Sequence, residues 1–199
     1  MAQLDWNDRY SGPDYVYGTE PNSFLAENIE RLSGPVLSIA EGEGRNAVFL
    51  ASRGLSVHAV DGSEIGLAKA TKLAERSGVN IEMQVANLEY YEPQESAYNT
   101  VVSIYAHLPS LTRQKLYPLL IRSLKPGGIC ILEAYSENQV GRGTGGPSDL
   151  NLLMTCSKIE SEFSGLETVL LHEIIRDVHE GKFHTGMASV IQFIGRKRA

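Results

Sequence analysis

The stretch "IAEGEGRNAVF" sets Gly42 and Gly44 two residues apart, after the apolar run "PVLSIA" (35–40) and before a run with helical apolar spacing, "NAVFLASRG". A strand, a glycine turn and a helix in that order let the backbone approach a ligand closely and aim free N–H groups at it. Asp61 lies nineteen residues beyond Gly42, at the end of a second apolar run, "SVHAVD" (56–61). A carboxylate there can accept hydrogen bonds from both hydroxyls of a ribose. The pattern Gly42-x-Gly44-x-x-Ala47 also fits a dinucleotide fingerprint, and a tight turn with no ligand would account for it as well.

Charge favours one class of cofactor. Glu41 and Glu43 crowd the turn, and Arg45 offsets only one of them. The phosphates of a dinucleotide or nucleoside triphosphate would meet like charge there. S-adenosylmethionine brings a sulfonium and an ammonium, offers ribose hydroxyls to Asp61 and has no phosphate. A nicotinamide-dependent oxidoreductase is therefore the weaker alternative.

A second group of residues can act on a substrate. His107, in "SIYAHLP" just beyond a later apolar run, has an ordinary pKa suited to proton transfer near neutrality, and Tyr105 precedes it by two residues. His107 reads as a base or an acceptor-positioning group, or else as a loop histidine; Tyr105 reads as a hydrogen-bonding or a packing residue. Arg176, His179 and His184 gather around the "HEGKFH" turn, either as substrate contacts or as a solvated turn. Arg142 lies in "SENQVGRGTGGPSDLNLLM" (136–154), a glycine-rich segment long enough to be a lid, a binding loop or a plain surface excursion, and can engage an anionic substrate. Trp6 and Arg9 can dock the N-terminal segment.

The elements that must position these residues alternate. After the first two strands, "SEIGLAKATKLAERSG" (63–78) has a capping Ser63, apolar residues at helical spacing and a stop at Gly78. "NIEMQVA" and "TVVSIYA" are the third and fourth strands, "TRQKLYPLLIRSLKPGG" a helix with a proline–glycine stop, and "GICILEAY" the fifth strand. This order predicts a doubly wound α/β fold with a mostly parallel sheet. The last third has two long β-rich stretches around "HEGKFH" and no helix between them, which predicts an antiparallel C-terminal hairpin. Ligands of such sheets bind at the carboxyl ends of the strands, where strand order reverses.

The whole chain agrees with a single domain over 1–199. It has 199 residues, 42% hydrophobic and 21% charged, a net charge of −6 and a pI of about 5.4. That acidity argues against a nucleic-acid partner. The polar start "MAQLDWNDRY" lacks the apolar segment of a signal peptide, and no run reaches the ~18 apolar residues of a membrane span, so a cytoplasmic location is expected. Cys130 and Cys156 are dispersed, Cys130 reading as a core residue, and no metal spacing appears.

Taken together, "WNDRY", "YVYGTEPNSFL", "VLSIAEGEGRNAVFLA", "AVDGS", "VANLEYYEP", "YNTVVSIYAHLP", "LKPGG", "GGPSDLNLLM" and "EGKFHTGMASVIQFIGRK" resemble the class I S-adenosylmethionine-dependent methyltransferases, and within them the small tellurite-resistance-type and thiopurine-methyltransferase-like group. The resemblance spans nearly the whole chain. It implies a seven-stranded Rossmann-like sheet, with residues 1–34 as a cap over the cofactor. It implies that Ala40, Glu41, Gly42 and Gly44, with Asn46, surround the methionine part of S-adenosylmethionine, Asp61 and Gly62 its ribose, and Asn87 and Leu88 its adenine. Ser103, Ile104 and Tyr105 would line the methyl-transfer face, and Tyr17 and Gly18 would close the site. Ser38, Ala40, Asn87 and Asn99 depart from the group, standing where an acid, a glycine and two aspartates are usual. The implied activity is methyl transfer to a small molecule, with a thiol or a tellurium or selenium species as the group-level acceptor and a cofactor-binding regulator as the non-enzymatic alternative.

Overall fold

The computed structural model describes residues 5–199; the first four residues of the N-terminal segment lie outside the described residues. Seven strands form one sheet in the order β3-β2-β1-β4-β5-β7-β6. They are β1 (Val36–Ile39), β2 (Val57–Asp61), β3 (Glu82–Val85), β4 (Tyr98–Ile104), β5 (Leu124–Tyr135), β6 (Glu167–His179) and β7 (Thr185–Arg196). The first five are parallel; β7 runs antiparallel to β5, and β6 to β7. Strand order reverses between β1 and β4, so their carboxyl ends open a crevice at the switch point.

The apolar runs of the central strands are continuous because both faces are covered. Val101, Cys130 and Leu132 point into a core shared with Leu116 and Tyr117 of α5 (Ser110–Ser123) and Ile159 of α6 (Cys156–Glu162). Val102, Ile129 and Ile131, one residue out of phase, point into the opposite core. That core takes Phe24 and Leu25 of α2 (Ser23–Glu27) and Ala47 and Leu50 of α3 (Arg45–Ser52). The helix α4 (Glu64–Arg76) packs beside α3 through Leu73 and Ala74 against Val48. Ser63 caps it, its Oγ accepting the Gly66 N–H at 3.0 Å. A short helix α1 (Trp6–Tyr10) lies against α4, where the Asn7 side chain accepts the Ser63 hydroxyl at 2.6 Å.

One boundary differs from the sequence expectation. The fifth helix ends at Ser123, and "LKPGG" opens β5 instead of closing the helix. Gly127, at φ +78°, donates its N–H to the Lys197 carbonyl at 2.9 Å, and the Lys197 N–H returns to the Gly128 carbonyl at 2.8 Å. The chain end thus supplies the partners that turn a helix-stop sequence into the irregular start of a strand.

Candidate functional site

The turn after β1 is built on three positive-φ residues. Ala40, Gly42 and Gly44 all have positive φ (+51°, +60° and +91°), so Ala40 holds the left-handed conformation of the usual glycine at a cost of about 1–2 kcal/mol. At Gly44 a Cβ would lie 2.5 Å from that of Ala70, so this glycine lets α3 and α4 pack closely.

Glu41 turns inward. Its carboxylate accepts the Ala47 N–H at 2.8 Å and the Ser38 hydroxyl, filling the role of an acid on the strand and capping α3. Burial pushes its pKa up to about 7, against those two bonds. Glu43 accepts the Val16 N–H at 2.8 Å and pairs with Lys69 at 2.5 Å, while Arg45 pairs with Glu180. The expected repulsion of phosphates at this turn therefore fails in its premise, because both carboxylates are already occupied by the protein.

Asp61 is poised at the end of β2. One oxygen accepts the Gly42 N–H at 2.8 Å and the other the Ser63 N–H at 2.7 Å. Burial raises its pKa and these N–H groups oppose the shift. Tyr10 lies over the turn: a Cβ on Gly42 would stand 2.6 Å from its hydroxyl oxygen. Gly62 follows Asp61 directly, and its N–H also opposes the rise of the Asp61 pKa. Asn87 is exposed and its Oδ1 accepts the Glu89 N–H at 2.9 Å, while the next residue, Leu88, is buried. Asn46 faces the N-terminal segment, accepting the Asn22 N–H at 2.9 Å. Asn99 reaches the Gly34 carbonyl at 2.5 Å, a tie at the opposite end of the sheet.

Beyond β4, Ser103 and Ile104 are buried, and Tyr105 turns out of the strand at φ +52°, its N–H on the Glu133 carbonyl at 2.7 Å. Its ring meets those of Tyr135 at 4.8 Å and His184 at 4.7 Å between centroids. His107 stacks on Tyr135 at 5.5 Å, and Tyr17 closes on His184 at 4.6 Å. Gly18, next to Tyr17, lies against Gly181 of the hairpin turn.

Among the described residues, neither ring nitrogen of His107, nor Nδ1 of His184, has a hydrogen-bond partner, although all three are sealed from solvent. Burial lowers His107 to about 4, with the Leu152 backbone acting the other way. Burial, joined by coupling to His107 and by the charges of Arg45 and Arg9, lowers His184 to about 2. Burial of His107 thus favours the neutral imidazole in the folded chain.

Beside the rings runs a charged network absent from the sequence reading. Glu133, fully buried, accepts from the Tyr105 hydroxyl at 2.8 Å, Asn22 Nδ2 at 2.7 Å, Arg176 at 2.6 Å and Gln192 Nε2 at 2.6 Å. Glu180 binds Asn22 at 2.9 Å, Arg176 at 2.7 Å and Arg45. A solvated turn is thus excluded for Arg176 and His184, which the hairpin carries into the interior. His179 stays outside on Asp177, and Arg142 is exposed with its Nε on the Asn138 carbonyl at 3.0 Å, so the structure does not bring either into the group. A lone Glu133 within "GICILEAY" was the legible sign of the network, since a charge in a doubly covered strand needs buried partners.

Residues 36–128 match the family described as a methyltransferase domain. This stretch, which runs from β1 into β5, is similar to a methyltransferase domain. No curated protein matches the chain at a significant level. Among solved structures, one from work on the conversion of a disulfide bond into a thioacetal group during echinomycin biosynthesis is similar over 96% of this chain and 88% of its own, with a TM-score of 0.77 and 16% identity. TehB from Haemophilus influenzae is similar over 97% of this chain and 66% of its own, with a TM-score of 0.74 and 15% identity. Phosphoethanolamine N-methyltransferase 2 from Haemonchus contortus, solved with S-adenosyl-L-methionine, is similar over 98% of this chain and 56% of its own, with a TM-score of 0.67 and 19% identity.

The residues present would fit S-adenosylmethionine: the positive-φ turn at 40–42 gives backbone a close approach, and Asp61 at the end of β2 offers a carboxylate to ribose hydroxyls. Among the described residues no His, Cys, Asp and Glu group is placed to hold a metal, and no helix is long and apolar enough to cross a membrane.

Proposed function

We propose that the protein transfers the methyl group of S-adenosylmethionine to a small-molecule acceptor, and that the acceptor atom is a soft nucleophile, a thiol sulfur in the first place. The unpartnered, neutral imidazoles of His107 and His184 beside Tyr105 carry this reading. The bound cofactor supplies an already activated methyl group, so the protein has to position and desolvate the acceptor. A weakly basic His107 is suited to positioning, because it orients the acceptor through a hydrogen bond, whereas an oxygen or neutral nitrogen acceptor would call for a stronger base. With S-adenosylmethionine bound, the acceptor would leave as a thioether with S-adenosylhomocysteine as the other product, and the thiol proton would pass to solvent. The Asp61 carboxylate holds the ribose, Asn87 and Leu88 border the adenine, and Tyr17 and Gly18 close the site within a cap formed by residues up to 34. The segment 136–154 serves as the lid over Tyr135, with Gly146 against its ring. The sulfur chemistry named for the echinomycin-pathway neighbour agrees with this choice.

The test is calorimetric titration with S-adenosylmethionine, NAD and NADP in parallel, followed by methyl transfer to a panel of thiols. Micromolar binding of the first alone, with thioether formation, is the expected result. Binding of a dinucleotide instead, or cofactor binding with no transfer to any acceptor, overturns it, the latter in favour of a regulatory binder.

A further inference from the structure

The charges around the ring cluster narrow the acceptor further. Arg176 and Arg45 are the cations of the network, and buried carboxylates hold both. Arg176 binds Glu133 at 2.6 Å and Glu180 at 2.7 Å, and Arg45 binds the second oxygen of Glu180. Two positive charges thus meet two negative ones, with the carboxylates themselves shielded by Asn22, Tyr105 and Gln192. Arg9, half-buried, lies over the exposed Phe183 ring, 4.2 Å from its centroid, outside the network, and its charge acts on Tyr17 and His184 from there. Among the described residues, the buried polar atoms of the cluster left without partners are both ring nitrogens of His107, Nδ1 of His184 and one N–H, Arg176 Nε. They offer single hydrogen bonds within aromatic walls, and nothing among them matches the paired N–H fork that binds an oxyanion.

We propose that the site selects an acceptor with no net charge, and that the Glu133–Arg176–Glu180–Arg45 network is the device that rejects anions. The proposal deepens the methyltransferase reading and rests on it. An anionic acceptor would have to leave water for walls whose buried cations, Arg45 and Arg176, are already paired, a penalty no buried contact here offsets. A neutral thiol can donate to an imidazole nitrogen and loses little on desolvation. Glu133 and Glu180 act through Arg176 as positioning residues and need not touch the acceptor.

The test compares two thiols of equal size, 3-mercaptopropionamide and 3-mercaptopropionate, in the full chain with S-adenosylmethionine. It also includes inorganic selenite titrated calorimetrically into the protein with S-adenosylhomocysteine. The amide is expected to have a kcat/KM at least about tenfold above the carboxylate after correction for thiolate fraction, and selenite is expected not to bind at millimolar concentration. In Glu180→Gln, which leaves one positive charge uncompensated, the preference should fall by about tenfold and selenite binding should appear. Equal or better use of the carboxylate by the unmodified protein, or its binding of selenite, overturns the proposal whether or not Glu180→Gln folds. Cofactor binding without transfer to either thiol overturns the methyltransferase reading instead, and calorimetric binding of the two thiols still decides which charge the site prefers.

Discussion

At the scale of single residues, the turn after β1 shows how one function can move along a chain. Ser38 has lost the acid expected on the strand, and Glu41 supplies a carboxylate three residues later that reaches back to Ser38 and forward to the Ala47 N–H. Glu41→Ala is expected to cost about 2 kcal/mol in urea unfolding, from a lost helix cap and a buried hydroxyl left single. Ser38→Asp in that background should restore roughly half of the loss, because the new acid can reach the same backbone donors; no recovery would show that the two positions are not interchangeable. Asp61→Ala is expected to weaken S-adenosylmethionine binding by about a hundredfold in calorimetry, two charge-assisted ribose bonds being lost. The sequence disclosed Asp61 by its spacing alone. It hid the direction of Glu41, because which way a side chain points from a turn depends on backbone angles that neighbouring types do not fix.

At the scale of elements, the C-terminal hairpin and the N-terminal segment meet backbone to backbone. Gly181 has φ +73°, and a Cβ there would stand 2.5 Å from both Cα and the carbonyl carbon of Tyr17. The Lys182 N–H donates to the Val16 carbonyl at 2.9 Å. Gly181→Ala should therefore destabilise the protein by about 2–3 kcal/mol, combining left-handed strain with the clash. It should also weaken cofactor binding, since Tyr17 must shift; unchanged affinity with lowered stability would remove the hairpin turn from the site. The strand–helix alternation and the hairpin were readable because apolar runs and turn residues report local structure directly. What lay beyond reading was the contact between residues 16–18 and 181–184, which arises only when both ends of the chain settle on the same sheet edge. For the same reason the hairpin histidine and arginine looked like solvated turn residues.

The molecule as a whole folds with two imidazoles neutral and one carboxyl group protonated part-way, and its stability should register both. His107 and His184 have pKa values lowered to about 4 and about 2, so the unfolded chain binds their protons first as pH falls below about 6.5. Each imidazole should thus withdraw about 2.5 kcal/mol of stability between pH 7 and 4.5. Glu41 acts with the opposite sign. Its pKa is raised to about 7, so the native state holds a proton that the unfolded state releases above about 4.5, and acidification returns about 2.5 kcal/mol. Asp61, also raised, adds in the direction of Glu41. For the two imidazoles and Glu41 the net is a loss of about 2.5 kcal/mol on going from pH 7 to 4.5. His107→Gln should leave the profile nearly flat over that range, and Glu41→Gln should steepen the loss to about 5 kcal/mol. Urea unfolding at half-unit pH steps distinguishes the three curves. A His107→Gln profile parallel to that of the unmodified protein would mean that this imidazole takes up its proton in the fold as readily as in the unfolded chain, and the weakly basic hydrogen-bonding role given to it in methyl transfer would fall with it.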